Sequence, residues 1–120
     1  MIRPLVSIIF IFSISQVFCA EDYEDLCHLK VAPNLSSKLE KCEGNKCGDG
    51  FECLSGTCCP TKAHICSQPI ESGKELVDFT HSGRFGFDSG LGNCIKFSYF
   101  GSEGNFNNFK RFQDCHLLCT

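Results

Sequence analysis

The residues of this chain with the clearest chemistry are its cysteines, 11 among 120 positions. Cys19 lies at the end of an N-terminal apolar run, and setting it aside leaves ten: Cys27, Cys42, Cys47, Cys53, Cys58, Cys59, Cys66, Cys94, Cys115 and Cys119. An even set this dense, in roughly 100 residues, is the composition of a disulfide framework formed in an oxidising compartment. Zinc ligation is the competing chemistry. Zinc sites favour paired C-x2-C spacing, whereas this chain has C-x4-C, C-x5-C and the adjacent Cys58–Cys59. No metal and no other cofactor is expected. Asp78, His81 and Ser82 supply the residue types of a hydrolytic triad, but they crowd into one short stretch. Triad members converge from separate elements of a rigid scaffold, so these three read as polar loop residues. His28, His64 and His116 have neither metal-like spacing nor an obvious catalytic partner, and the chain is not expected to be an enzyme.

Charge and hydropathy set the compartment and the class of partner. Residues 1–19 read as a secretory signal, with Arg3 at the start and an apolar run from Leu5 to Phe18. That run is too short for a comfortable membrane span, and small residues close it. Cleavage after Cys19 places Val17 three residues before the cut; cleavage after Ala20 would place the bulkier Phe18 there, so the first is preferred. No later stretch could cross a bilayer, so the mature chain is expected to be secreted and extracellular. Losing Arg3 leaves 11 − 1 = 10 basic against 14 acidic side chains, a net charge near −4. Nothing resembles a basic stripe for nucleic acid or an anionic membrane surface, and partners should be proteins. The acidic segment 20–26, with its EDYED run, reads as a solvated terminus. Asn34-Leu35-Ser36 is a glycosylation sequon in the polar stretch APNLSSK, where a glycan at Asn34 would cover surface.

A chain this small cannot bury a large core, so cross-links must make up the shortfall. Six cysteines precede the stretch PTKAHI and four follow it, so each side can close its own bonds. The stretch is too short to be a free linker. Residues 27–60 follow C-x14-C-x4-C-x5-C-x4-CC-P, with Gly44, Gly48, Gly50 and Gly56 marking turns, and little apolar periodicity. CGDGFECLSGTCCP is similar to the small lustrin-type or EB-type cysteine modules of extracellular proteins. A whey-acidic-protein resemblance is poorer, because too few cysteines follow the CC. The lustrin and EB resemblances imply an extracellular spacer or recognition unit; the pairing of the six cysteines stays open.

Residues 66–119 carry clearer elements. Arg84–Phe87 and Cys94–Tyr99 show period-2 aromatic spacing around the turn-rich DSGLGN, the pattern of a β-hairpin. Phe85 and Phe87 share one face of their strand, as do Ile95, Phe97 and Tyr99 of theirs. From about Phe109 to Cys119 there is no Gly or Pro, which suits a short helix with Cys115 and Cys119 on one face. Eight of the 12 phenylalanines lie between Phe79 and Phe112, a small aromatic core rather than a ligand site.

The segment CIKFSYFGSEGNFNNFKRFQDCHLLC resembles the C-terminal half of a Kunitz (pancreatic trypsin inhibitor) domain. The match is strongest at Gly101-x-x-Gly104-Asn105-x-Asn107-Asn108-Phe109, where the family's asparagine corresponding to Asn107 hydrogen-bonds backbone internally. Arg84, Phe85, Phe87 and Asp88 take the family's basic–aromatic–aromatic strand, and Tyr99 its tyrosine before the glycines. Pro69 and Gly73 fall at the family's spacing from its first cysteine. The resemblance implies a small disulfide-rich Kunitz-type α+β fold, a β-hairpin plus a C-terminal helix, behind a small irregular cysteine-rich module. It also implies the bonds Cys66–Cys119 and Cys94–Cys115, the first worth about 4 kcal/mol by loop entropy. The family's second and fourth cysteines align with Glu75 and Ser102, so one whole disulfide is absent. About three extra residues fall within Lys74 to Gly83, and Phe100 replaces a glycine.

The vacancies surround the loop by which the family blocks serine proteases. A rigid loop binds tightly because docking orders little, and its cut ends cannot drift apart. The resemblance makes loop 74–83 the protease-binding segment, with Leu76, Val77, Asp78 and Phe79 at its centre. Counting from Cys66 puts Leu76 at the residue that fills the protease's primary pocket, P1, and counting back from Arg84 puts Phe79 there. Both are apolar, which points to a serine protease of chymotrypsin- or elastase-like specificity. The alternative is a non-inhibitory extracellular or matrix protein-binding module with a degenerate Kunitz domain, since the loop is expected to be longer and unbraced.

Overall fold

The computed structural model of the protein describes residues 22–120. The signal segment 1–19 lies outside the described residues. Helix α1 spans Tyr23–Cys27; Asp22 caps it by accepting from the Glu24 amide at 3.0 Å, and His28 ends it in the left-handed region. Part of the acidic terminus is thus helical rather than loose. The reason is its one aromatic residue: Tyr23 packs edge-on against Phe106, with ring centroids 5.7 Å apart.

Strands β1 (Phe51–Leu54) and β2 (Thr57–Pro60) form an antiparallel hairpin. Its two-residue turn, Ser55-Gly56, has positive φ at both positions, as the right-handed twist of the flanking strands requires. Cys53 and Cys58 face each other across this ladder yet do not bond together. Cys53 bonds Cys42, Cys58 bonds Cys47, and Cys59 ties β2 to the end of α1 through Cys27. Cys42, Cys47 and Cys58 bring their sulfurs within 4.8 Å of one another, but as disulfide sulfurs they offer no thiolate to a metal.

The PTKAHI stretch begins in β2 and runs into helix α2, Lys62–Ser67, capped by the Thr61 hydroxyl accepting from the His64 amide. Next come β3 (Lys74–Glu75), β4 (Ser82–Asp88), β5 (Asn93–Tyr99), β6 (Gly101–Ser102) and helix α3 (Phe112–Cys119). Strands β4 and β5 form the long hairpin, in a register that places Phe87 opposite Cys94 and Arg84 opposite Phe97. Opposed residues share a face, so Phe85 and Phe87 lie on one side and Ile95, Phe97 and Tyr99 on the other. Helix α3 starts three residues later than the Gly- and Pro-free run suggests. Phe109 exchanges two 2.8 Å backbone bonds with Phe85, and that pairing holds it extended. The bonds Cys66–Cys119 and Cys94–Cys115 fasten α3 to α2 and to β5.

The two cysteine-rich segments share a single core. Val31, Ile65, Cys94, Phe106, Phe109 and Cys115 are buried together, with Leu29, Leu35, Leu39, Phe51, Phe85 and Phe87 packed around them. Residues 31–32 extend the Phe85–Phe109 pairing by one more backbone: Val31 bridges Phe109, and the Ala32 amide donates to Asn108 O at 2.8 Å. Asn107 is fully buried; its Oδ1 accepts from the Phe87 amide, and its Nδ2 donates to Gln68 O and Phe87 O. This one amide stitches the hairpin to the chain leaving α2.

Asn107→Ala leaves those three backbone groups without partners, and we expect a loss of about 3 kcal/mol in urea unfolding; a loss below about 1 kcal/mol would contradict this role. At the start of α3, Arg111 grips Asp114 by two 3.0 Å bonds, which holds the Asp114 carboxyl below its usual range. A depressed folded-state value contributes stability above the unfolded aspartate value of about 3.9, and that contribution disappears as pH falls through the folded value. Asp114→Asn should therefore shrink the acid-side fall in the urea midpoint, read between about pH 2 and 5.

Candidate functional site

The loop from Lys74 to Gly83 is held at its base by backbone pairing. Lys74 stands opposite Ser102 and Glu75 opposite Gly101. Two glycines let these strands approach. A Cβ on Gly73 would sit 2.2 Å from Ser102 O, and one on Gly101 would sit 2.6 Å from the Phe79 ring; both glycines also have positive φ. The Phe100 amide donates to Ser72 O at 2.9 Å, and the Leu76 amide to Phe100 O at 3.3 Å.

The two positions where the resemblance expects cysteines carry polar substitutes. The Ser102 hydroxyl donates to Lys74 O at 3.0 Å. The Glu75 carboxylate meets His81 Nε2 at 2.8 and 2.9 Å, closing the loop on itself. The His81 ring lies on Phe100, with centroids 4.4 Å apart. The expectation of an unbraced loop is therefore corrected: the brace is non-covalent, and the bulky Phe100 is part of it. His81 faces Glu75 rather than Ser82, and the three triad-like residue types form no relay.

At the tip, the Phe79 amide donates to Leu76 O at 3.1 Å, and Asp78 has φ +62°, so residues 76–79 close a turn. Val77 is 87% exposed and Leu76 41% exposed, while Phe79 is half-buried, edge-on to Tyr99. The loop presents aliphatic surface and keeps its aromatic ring inside.

Tyr99 anchors the underside of this site. Its hydroxyl donates to Glu103 O at 2.9 Å and accepts from the Asn34 amide at 2.9 Å. The Arg84 guanidinium lies 4.9 Å from the Tyr99 ring centre and donates to Ala32 O and Asn108 Oδ1. Burial lowers the Arg84 pKa from its usual value. Asn105 bonds Pro69 O and the Asn107 amide, and Gly104 turns with φ +84°. Asn34, singled out only as a sequon residue, is exposed, yet its side-chain amide donates to Gly101 O at 3.0 Å. No local pattern announces that contact, because 67 residues separate its partners.

Residues 65–120 match the family profile described as Kunitz/Bovine pancreatic trypsin inhibitor domain. The chain is 34% identical over 68 residues to the Kunitz-type serine protease inhibitor Bt-KTI of Bombus terrestris, covering 52% of this chain and 83% of that protein. It is also 34% identical over 84 residues to Papilin of Drosophila melanogaster, where the match covers 63% of this chain and 3% of Papilin. Among solved structures, conkunitzin-S1, a Kunitz-fold cone snail neurotoxin, aligns at 34% identity over 47% of this chain and 95% of that one, with a TM-score of 0.43.

The Glu75–His81 pair is surface-exposed, so its loss should barely change global stability. For His81→Ala we expect a change within about 0.5 kcal/mol in urea unfolding. Limited proteolysis between residues 76 and 80 should nevertheless accelerate severalfold. An unchanged cleavage rate would show that the pair braces nothing.

Proposed function

The chain belongs to the Kunitz/bovine pancreatic trypsin inhibitor family, and from that membership we propose that it is a secreted inhibitor of serine proteases, acting through loop 74–83. The observation that carries this reading is the aliphatic tip, Leu76 and Val77, standing out from a base pinned to β6. A loop held before docking loses little conformational freedom on binding, which is how a short segment reaches useful affinity. The inward packing of Phe79 on Tyr99 favours Leu76 as the residue entering the primary pocket. An apolar residue there suits chymotrypsin- or elastase-like enzymes. The five disulfides and the apolar segment near the N-terminus support an extracellular location. No helix among the described residues is long and apolar enough to cross a membrane. Catalysis by the chain itself forms no part of the proposal.

One observation favours a second reading. Residues 76–79 form a turn with a left-handed Asp78, whereas a protease cleft receives extended backbone. If that turn persists, the module binds another extracellular protein and inhibits nothing.

Titration against chymotrypsin, elastase and trypsin, with mass spectrometry of the loop, separates the two readings. We expect stoichiometric inhibition of chymotrypsin or elastase with slow cutting; rapid cutting near Leu76 or Phe79 without lasting inhibition would reject the first reading. In an active inhibitor, Leu76→Arg should shift preference toward trypsin by at least about tenfold. A shift from Phe79→Arg instead would move the pocket residue to 79.

A further inference from the structure

We propose that residues 31–36, outside the inhibitor-like domain, are a strap that positions the protease-facing loop, with Asn34 as its positioning residue. The strap reaches the strand that would carry the absent disulfide. The Asn34 backbone amide donates to the Tyr99 hydroxyl at 2.9 Å, and its side-chain amide donates to Gly101 O at 3.0 Å. The Glu103 amide returns a bond to Asn34 O at 2.8 Å, and the Ser36 amide donates to the Glu103 carboxylate at 3.1 Å. These four contacts span Tyr99 to Glu103, the turn that contains β6. Upstream, Ala32 accepts from Arg84 and donates to Asn108, and Val31 is buried against Phe109. The strap is thus secured at one end in the core and applied at the other to the loop's base.

Gly101 passes the constraint on. It pairs with Glu75, and its Cα lies so close to Phe79 and Leu76 that no side chain fits between them. A disulfide would join these strands directly. Here the outer strand is held from behind, and the loop follows through backbone pairing. Glu103 adopts φ +57° in that turn, a conformation a non-glycine residue keeps only when its surroundings dictate it. The sequon gives the same residue a second chemistry. A glycan on Asn34 would consume one Nδ2 hydrogen and leave the other free to donate to Gly101.

The proposal deepens the inhibitor reading, but its test needs no protease. Residue-resolved amide hydrogen exchange on the full chain compares the wild type with Asn34→Asp, which keeps the side chain's size but removes the donor. We expect exchange at the Leu76, Phe79 and Phe100 amides to rise about tenfold, the cost of one lost hydrogen bond, while the Phe85 and Phe109 amides keep their rates. Tyr99→Phe, which removes only the hydroxyl between Asn34 and Glu103, should give the same local pattern and serves if Asn34→Asp fails to fold. Ser36→Ala abolishes the sequon and retains the Asn34 amide, and it should exchange like the wild type. Unchanged rates at Leu76, Phe79 and Phe100 would overturn the strap. So would an equal rise at Phe85 and Phe109, or loosening by Ser36→Ala, which would assign the effect to the glycan. Variants that loosen as expected, alongside a wild type that inhibits no protease, would reject the inhibitor reading and leave the strap standing.

Discussion

The buried Tyr99 is the point on which the loop, the long hairpin and the N-terminal segment all depend. It is 1% exposed, and each part of the side chain has a task. The hydroxyl joins Asn34 to Glu103, the ring carries the Arg84 guanidinium, and Phe79 packs against it edge-on. A buried phenol is stable only when its hydroxyl is bonded, and here both partners are main-chain groups of segments that must stay in register. The ring therefore fixes backbone far more than it fills volume. Positioning of the loop follows from that arrangement.

Seen from the loop, two strategies of restraint meet in one small chain. Covalent cross-links hold the frame: α3 is tied to α2 and to β5, and the β1–β2 hairpin is tied to what precedes it. Loop 74–83 has no such bond. Its stiffness comes from a two-residue strand pair, one carboxylate–imidazole contact and one tilted ring contact. A disulfide acts mainly by limiting the unfolded chain, whereas these contacts act only in the folded one. Such a loop opens locally at lower cost than the frame does. That difference matters for an inhibitor, whose lifetime depends on how rarely the loop adopts a cleavable shape.

The shared core explains why residues 27–60 are ordered despite little apolar periodicity. Val31 lies in the buried cluster with Phe106 and Phe109, Phe51 meets Phe106 edge-on, and Leu29, Leu35 and Leu39 pack against the same cluster. Neither segment encloses enough apolar surface alone, and joining them gives both a better ratio of buried to exposed area. The apolar residues from Leu29 to Leu39 are spaced irregularly because they follow a partner surface, with no helix or strand of their own to set the interval.

The cysteine count, the aromatic alternation around DSGLGN and the G-x-x-G-N-x-N-N-F stretch made the disulfide-rich class, the hairpin and the family legible from the residues alone. Each rests on local pattern: periodicity along a strand, turn chemistry, or the parity of a count. The non-covalent brace was hidden, because nothing near Glu75 marks His81 as its partner, and Phe100 reads only as a departure from glycine. The inward turn of Phe79 was hidden too, since counting residues treats Leu76 and Phe79 alike and the contact with Tyr99 lies 20 residues away along the chain. Asn34 appeared as a modification site and became a structural contact only when folding brought residue 101 beside it. Sequence by itself determined the long hairpin, the C-terminal helix and which residues can cross-link, because those depend on neighbours along the chain. The tertiary structure decided how the loop is held, because that depends on groups tens of residues apart which meet only once the core has closed.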